Sequence, residues 1–74
     1  MIRKRSVSIR GHRTSFSLEQ PFFDEIANIA TTRGMALAAL VAEIDATRPR
    51  TTNLSSALRI YVLNWLKQPA DPQV

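Results

Sequence analysis

The chain has no cysteine, one histidine and only two glycines among its 74 residues. Without cysteine no disulfide can staple so short a chain and no thiolate can hold a metal. His12, without clustered carboxylates, makes no metal site of recognisable kind and reads as a turn or surface residue. Acidic residues are missing from the N-terminal end, where Arg3, Lys4, Arg5, Arg10 and Arg13 all precede the first of them, Glu19. Long apolar runs are missing too. Nothing approaches the roughly 20 residues of a membrane span, and Ser6-Val7-Ser8-Ile9-Arg10 lacks the apolar stretch that a signal peptide carries after its basic start. No Gly-rich phosphate loop or nucleophile with a nearby base is present, and Asp24, Glu25, Glu43 and Asp45 fall on predicted helix surfaces. Neither catalysis nor a cofactor is expected.

What is present is basic. Ten Lys and Arg against six Asp and Glu, with a pI near 10.8, point to a polyanionic partner. At 8.3 kDa the chain is one domain at most, near the size where a single core is marginal, so self-association is the natural reinforcement. A soluble, cytoplasmic protein is the expectation.

Hydrophobic period organises the chain. From Arg13 to Leu18, Thr14, Phe16 and Leu18 fall on one side of an extended segment and Arg13, Ser15 and Ser17 on the other, the signature of a half-buried strand. Upstream, Val7 and Ile9 form a second alternating piece, but in the opposite parity. One flat strand cannot place both sets on one face, and Gly11 between them reads as a bulge or turn. This piece either adds to the strand, folds back as a hairpin across Gly11, or orders only on binding.

From Pro21 the period becomes helical, with Phe22, Ile26, Ile29 and Ala30 on one face and Gly34 as a left-handed stop. A second helix carries Leu37, Leu40, Val41 and Ile44 and ends near Ala46. Residues 47–53 connect it to a third helix over 54–68, capped by Thr52 or Asn53 and stopped by Pro69, with Leu54, Leu58, Tyr61, Val62, Trp65 and Leu66 on its apolar face. Residues 69–74 read as a loose tail, and no internal repeat is apparent.

The order of strand, helix, Gly-containing turn and helix, in RTSFSLEQPFFDEIANIATTRGMALAALVAEI from Arg13 to Ile44, resembles the ribbon-helix-helix DNA-binding proteins, the group of the Arc and methionine repressors. KRSVSIRGHRTSFSLE and NLSSALRIYVL are similar to a small bacterial subfamily of that group. The resemblance covers residues 4 to about 66. It implies a mainly α fold with one short β-strand, in an intertwined homodimer whose two strands form an antiparallel ribbon, plus an additional C-terminal helix. Residues 1–12 would be a basic arm or short extra strand, and 13–46 the core unit.

The resemblance also implies roles. The ribbon enters the major groove of double-stranded DNA and Arg13, Ser15 and Ser17 reach base edges; arginine can bond guanine O6 and N7 together, while serine discriminates less. Phosphates would be held by Arg3, Lys4, Arg5, Arg10 and His12 and by the backbone N–H groups of Ala36, Leu37 and Ala38. Ala36 stands where the family usually has Ser or Thr, which leaves that clamp to backbone alone. Phe16, Leu18, Phe22, Ile26, Leu37, Leu40, Val41 and Ile44 would form the dimer core. Tyr61 and Trp65 would extend that interface or dock another protein or a second dimer. If residues 4–10 entered the groove instead, the reading face would shift to Lys4, Ser6, Ser8 and Arg10. The expected function is transcriptional regulation, as a repressor, at the bacterial nucleoid. The competing expectation is an adaptor or antitoxin-like protein that binds its partner through the third helix, and a third is a non-specific binder of nucleic acid.

Overall fold

A two-residue turn at Arg10 and Gly11 folds the N-terminal segment back on itself. Both residues have positive φ, 50° and 81°, the combination a type I′ turn requires, and its twist matches that of the strands it joins. Gly11 adopts that conformation freely, while Arg10 does so against the clash of its own Cβ. The computed structural model describes residues 2–68, so Pro69 and the expected tail at 69–74 lie outside the described residues.

The turn joins β1, Ile2–Ile9, to β2, His12–Glu19, in an antiparallel hairpin whose register runs from Ile9 opposite His12 to Ile2 opposite Glu19. The sequence predicts one strand here; the structure has two of eight residues each, and the ribbon forms within one chain. Of the three expectations for Val7 to Ile9, the hairpin is the one observed. It also resolves the parity conflict, because a two-residue turn sets odd-numbered residues of β1 beside even-numbered residues of β2. Ile9, Phe16 and Leu18 thereby share one buried face.

Three helices cover that face. Helix α1, Gln20–Thr32, begins with Pro21 in its first turn and ends at Gly34, φ 68°. There the N–H of Met35 donates to the Ala30 carbonyl at 2.9 Å and that of Gly34 to the Thr31 carbonyl at 3.0 Å, a paired left-handed cap. Helix α2 spans Leu37–Thr47, and α3 spans Leu54–Lys67, where the Asn53 side chain accepts from the Ser56 N–H at 2.8 Å. Helix α3 packs on β2, α1 and α2 together. The core runs through Leu18, Ile26, Ile29, Leu40, Val41, Leu58 and Val62, each almost completely out of water, and it holds no buried polar side chain among the described residues.

Six of the eight residues expected at a dimer interface, Phe16, Leu18, Ile26, Leu40, Val41 and Ile44, are already buried within the single chain; Phe22 and Leu37 are half-buried against them. The reason lies in β1, which pairs with β2 and packs on α2, and in α3, which packs on β2, α1 and α2. Tyr61 and Trp65 also turn inward. Their rings stack 6.4 Å apart against the core, and the Tyr61 hydroxyl accepts from Arg33 Nη1 at 3.0 Å.

Candidate nucleic-acid interface

The ribbon face turned away from the helices is polar from Lys4 to Ser8 and from Arg13 to Glu19, with exposed Ile2 the one apolar residue at its open end. Alternation places Arg13, Ser15 and Ser17 of β2 there, and the register sets Ser8 across from Arg13, Ser6 across from Ser15 and Lys4 across from Ser17. All are exposed except Ser17, which is half-buried. The two reading faces considered from the sequence thus merge into one surface, except that Arg10 sits at the turn. Serine at four of these six positions keeps the surface low, so a groove floor can approach the backbone closely. A two-stranded ribbon of this width is what the major groove of B-form DNA admits.

The cations of the ribbon outnumber its one carboxylate. Arg10 and His12 are exposed at its tip, and Arg3 is exposed on the opposite face, across from Leu18. The one carboxylate, Glu19, is engaged: Arg59 Nε donates to its Oε1 at 2.9 Å, and that hydrogen bond holds the Glu19 carboxyl below the usual carboxylate range. No unpaired carboxylate stands on the ribbon itself.

The chain matches the family model of the ribbon-helix-helix domain over residues 2–66. It belongs to the ribbon-helix-helix family. Among curated proteins and solved structures, no match is found. Ribbon-helix-helix proteins are typically DNA-binding transcription regulators and generally bind DNA as dimers. The ribbon-helix-helix element here is the hairpin with α1 and α2, and α3 is the additional helix.

Arg5, grouped from the sequence with the phosphate contacts, lies on the inner face of the ribbon. Its guanidinium carbon stands 3.6 Å from the centroid of the Phe23 ring and its Nη2 donates to Gln20 Oε1 at 2.8 Å, while Nε is buried with no hydrogen-bond partner. The alternation of β1 decides this: residue 5 is opposite Phe16 and must share its face. At the start of α2, Ala36 is the N-cap residue, with φ −70° and ψ 151°, and no side chain caps the helix. The backbone N–H groups there are offered to whatever approaches.

Two features were not read from the sequence. The outer edge of β2 is sealed at Ser17, whose N–H donates to Ser55 Oγ at 2.9 Å and whose carbonyl accepts from Arg59 Nη2 at 3.4 Å. Ser55 and Arg59 carry no sequence signal beyond their place in an amphipathic helix. The second feature is a stripe of Ile60, Leu63 and Leu66 on the outer side of α3, each more than half exposed, which with Phe22 and Arg59 lines a shallow apolar groove of about 370 Å³. Their spacing of three was legible, but it overlaps the inner stripe. No helix among the described residues is long and apolar enough to cross a membrane, and no three of His, Asp and Glu gather to hold a metal.

Proposed function

We propose that this protein is a cytoplasmic transcriptional regulator that binds duplex DNA sequence-specifically by laying the polar face of its ribbon in the major groove, with no chemistry of its own. The observation that carries the reading is that face: exposed, low, cationic and free of unpaired carboxylates, on a chain of the ribbon-helix-helix family. Arg13 supplies the sharpest base discrimination, with Ser15 and Ser17 beside it. Arg3, Arg10 and His12 and the amides of Ala36, Leu37 and Ala38 hold phosphates. Arg5 belongs to the fold instead, because Phe23 and Gln20 already occupy it.

Selection from a random duplex pool, followed by salt-titrated binding of the enriched site with wild-type protein and Arg13→Ala, tests this. A sequence enriched by the wild type and blurred by the substitution, with a steep salt dependence retained, is the expected result. Uniform binding of all duplexes would leave only an electrostatic anchor.

The protein acts as a homodimer in this reading, and the outer stripe of α3 is where the second copy sits. Two observations favour that face. In the single chain β1 pairs one edge of β2, and Ser55 with Arg59 holds the other at Ser17. Ile60, Leu63 and Leu66 are meanwhile left in water on a helix already apolar on its inner side. An antiparallel pair of α3 helices about a two-fold axis at Leu63 sets the Ile60 of each copy against the Leu66 of the other.

A further inference from the structure

The connection between α2 and α3 is fastened by its own side chains and backbone. Arg48, the residue that ends α2, donates from Nε to Asp45 Oδ1 at 2.7 Å and from Nη1 to the Thr52 carbonyl at 2.6 Å, and the Thr52 N–H donates to the Pro49 carbonyl at 3.0 Å. Between this loop and the two helices lies a cleft of about 330 Å³, at the small end of the range of ligand sites. Ile44 and Ala57, both buried, form its floor, and Pro49, Ile60 and Tyr61 its apolar walls. Ala57 is what leaves the space open. It is the smallest of the buried residues of α3, among Leu54, Leu58 and Val62.

The polar side chains on the cleft are unequally engaged. The Thr47 hydroxyl is spent on the carbonyls of Glu43 and Ile44, at 3.2 and 3.3 Å. The Asn64 amide has no hydrogen-bond partner among the described residues, and Arg48, bonded through Nε and Nη1, keeps Nη2 in reserve. Arg48 also lines a second, polar cavity of about 320 Å³ with Asp45, Ala46 and Arg50. Two guanidinium groups against one carboxylate leave a positive surplus where the cavities meet. Free carbonyls at the end of α2 would repel an anion, but that of Ile44 is closed by the Arg48 N–H at 3.0 Å and by Thr47.

We infer that this cleft is a small-molecule site for a monocarboxylate with a compact apolar body, such as one ring on a short arm. The body lies over Ile44 and Ala57 against Tyr61, and the carboxylate is held by Arg48 with the Asn64 amide beside it. Arg48 is fixed before the ligand arrives, so little ordering is left to oppose binding. The site lies outside the ribbon and stands whether or not the ribbon binds DNA.

The test is a titration of the isotope-labelled full chain with phenylacetate, followed through backbone amide signals by NMR. Its uncharged isostere phenylacetamide and the cation 2-phenylethylammonium are run beside it. Phenylacetate is expected to move the amides of Ile44, Thr52, Ala57 and Tyr61 saturably, and phenylacetamide to bind roughly tenfold more weakly for want of the charged hydrogen bond. Asn64→Asp adds a carboxylate at an exposed position without touching the core. It is expected to weaken phenylacetate several-fold and to leave phenylacetamide unchanged. Arg48→Gln is expected to erase the difference between acid and amide; because it also unfastens the loop, its fold is checked by circular dichroism, and Asn64→Asp decides if that fold is lost. Saturable shifts from none of the probes, or phenylacetate shifts that Asn64→Asp leaves unaltered, would overturn the site. Tighter binding of the cation than of the acid would overturn the ligand class.

Discussion

The backbone N–H of Ser17 donates to the side-chain oxygen of Ser55 at 2.9 Å, across 38 residues of sequence. The bond ties β2 to α3 and, with Arg59 on the Ser17 carbonyl, leaves the strand no open edge at that residue. Ser55→Ala strands the Ser17 N–H at a half-buried site, which costs about 1 kcal/mol. Urea unfolding is expected to show a lower midpoint with an unchanged slope, and Ser55→Thr is expected to behave as wild type.

The turn offers the reverse experiment. Arg10 occupies the left-handed region at φ 50°, a conformation asparagine tolerates better, so Arg10→Asn is expected to raise stability by about 0.5–1 kcal/mol. Gly11→Ala, at φ 81° with open space around it, is expected to lower stability by about 1 kcal/mol through backbone strain alone. Thermal unfolding of the two variants beside wild type reads both signs.

Acid sensitivity follows from two carboxylates. Arg33 donates to Glu43 from Nη1 at 2.7 Å and from Nη2 at 3.1 Å, and these hydrogen bonds hold the Glu43 carboxyl below the usual range, as Arg59 does for Glu19. Folding therefore favours the ionised forms, and at acid pH the unfolded chain binds more protons than the folded one. The stabilisation is complete above the ordinary carboxylate range and is lost as pH falls through the lowered folded values. Both pairs are well exposed, so the effect is modest and screened by salt. Unfolding measured from neutral pH downward should show a falling limb in wild type that is shallower in Glu43→Gln.

Arg5 separates folding from binding. Arg5→Ala removes the cation over Phe23 and the bond to Gln20 and is expected to cost about 1 kcal/mol of stability. The salt dependence of DNA binding should not change, because that guanidinium neutralises no phosphate. Arg10→Ala is expected to do the opposite, lowering the salt slope by about one while leaving the salt-independent sequence preference intact. Equal salt slopes for wild type and Arg10→Ala would remove the turn from the phosphate contacts.

The parts of the fold legible in sequence are those with local causes. Pro21 in the first helical turn, Gly34 in a left-handed cap, Asn53 as an N-cap and the alternation from Arg13 to Leu18 each act within a few residues, and each is found where its chemistry puts it. Strand β1 was obscure because Arg3 and Arg5 take the inner-face positions that apolar residues would mark, leaving only Val7 and Ile9 as signal. For α3, an apolar helix surface extends too far round to reveal which side meets the core. Packing on β2, α1 and α2 makes that choice.

That choice leaves Leu63 at the centre of the outer stripe, more than half exposed, with Ile60 and Leu66 one turn to either side. If a second copy sits there, burying three large side chains from each chain removes enough apolar surface to hold a dimer, at about 25 cal/mol for each Å² covered. Leu63→Lys places two ammonium groups against each other at the two-fold axis, yet on the free chain it replaces one exposed side chain by another and costs the fold little. Sedimentation at increasing concentration is expected to show wild type passing to dimer and Leu63→Lys remaining monomeric, with unchanged circular dichroism. DNA binding is expected to weaken with the loss of the dimer, while the ribbon itself stays intact, because the ribbon and the outer face of α3 are separate surfaces. A Leu63→Lys protein that dimerises like wild type would move the contact between copies away from α3.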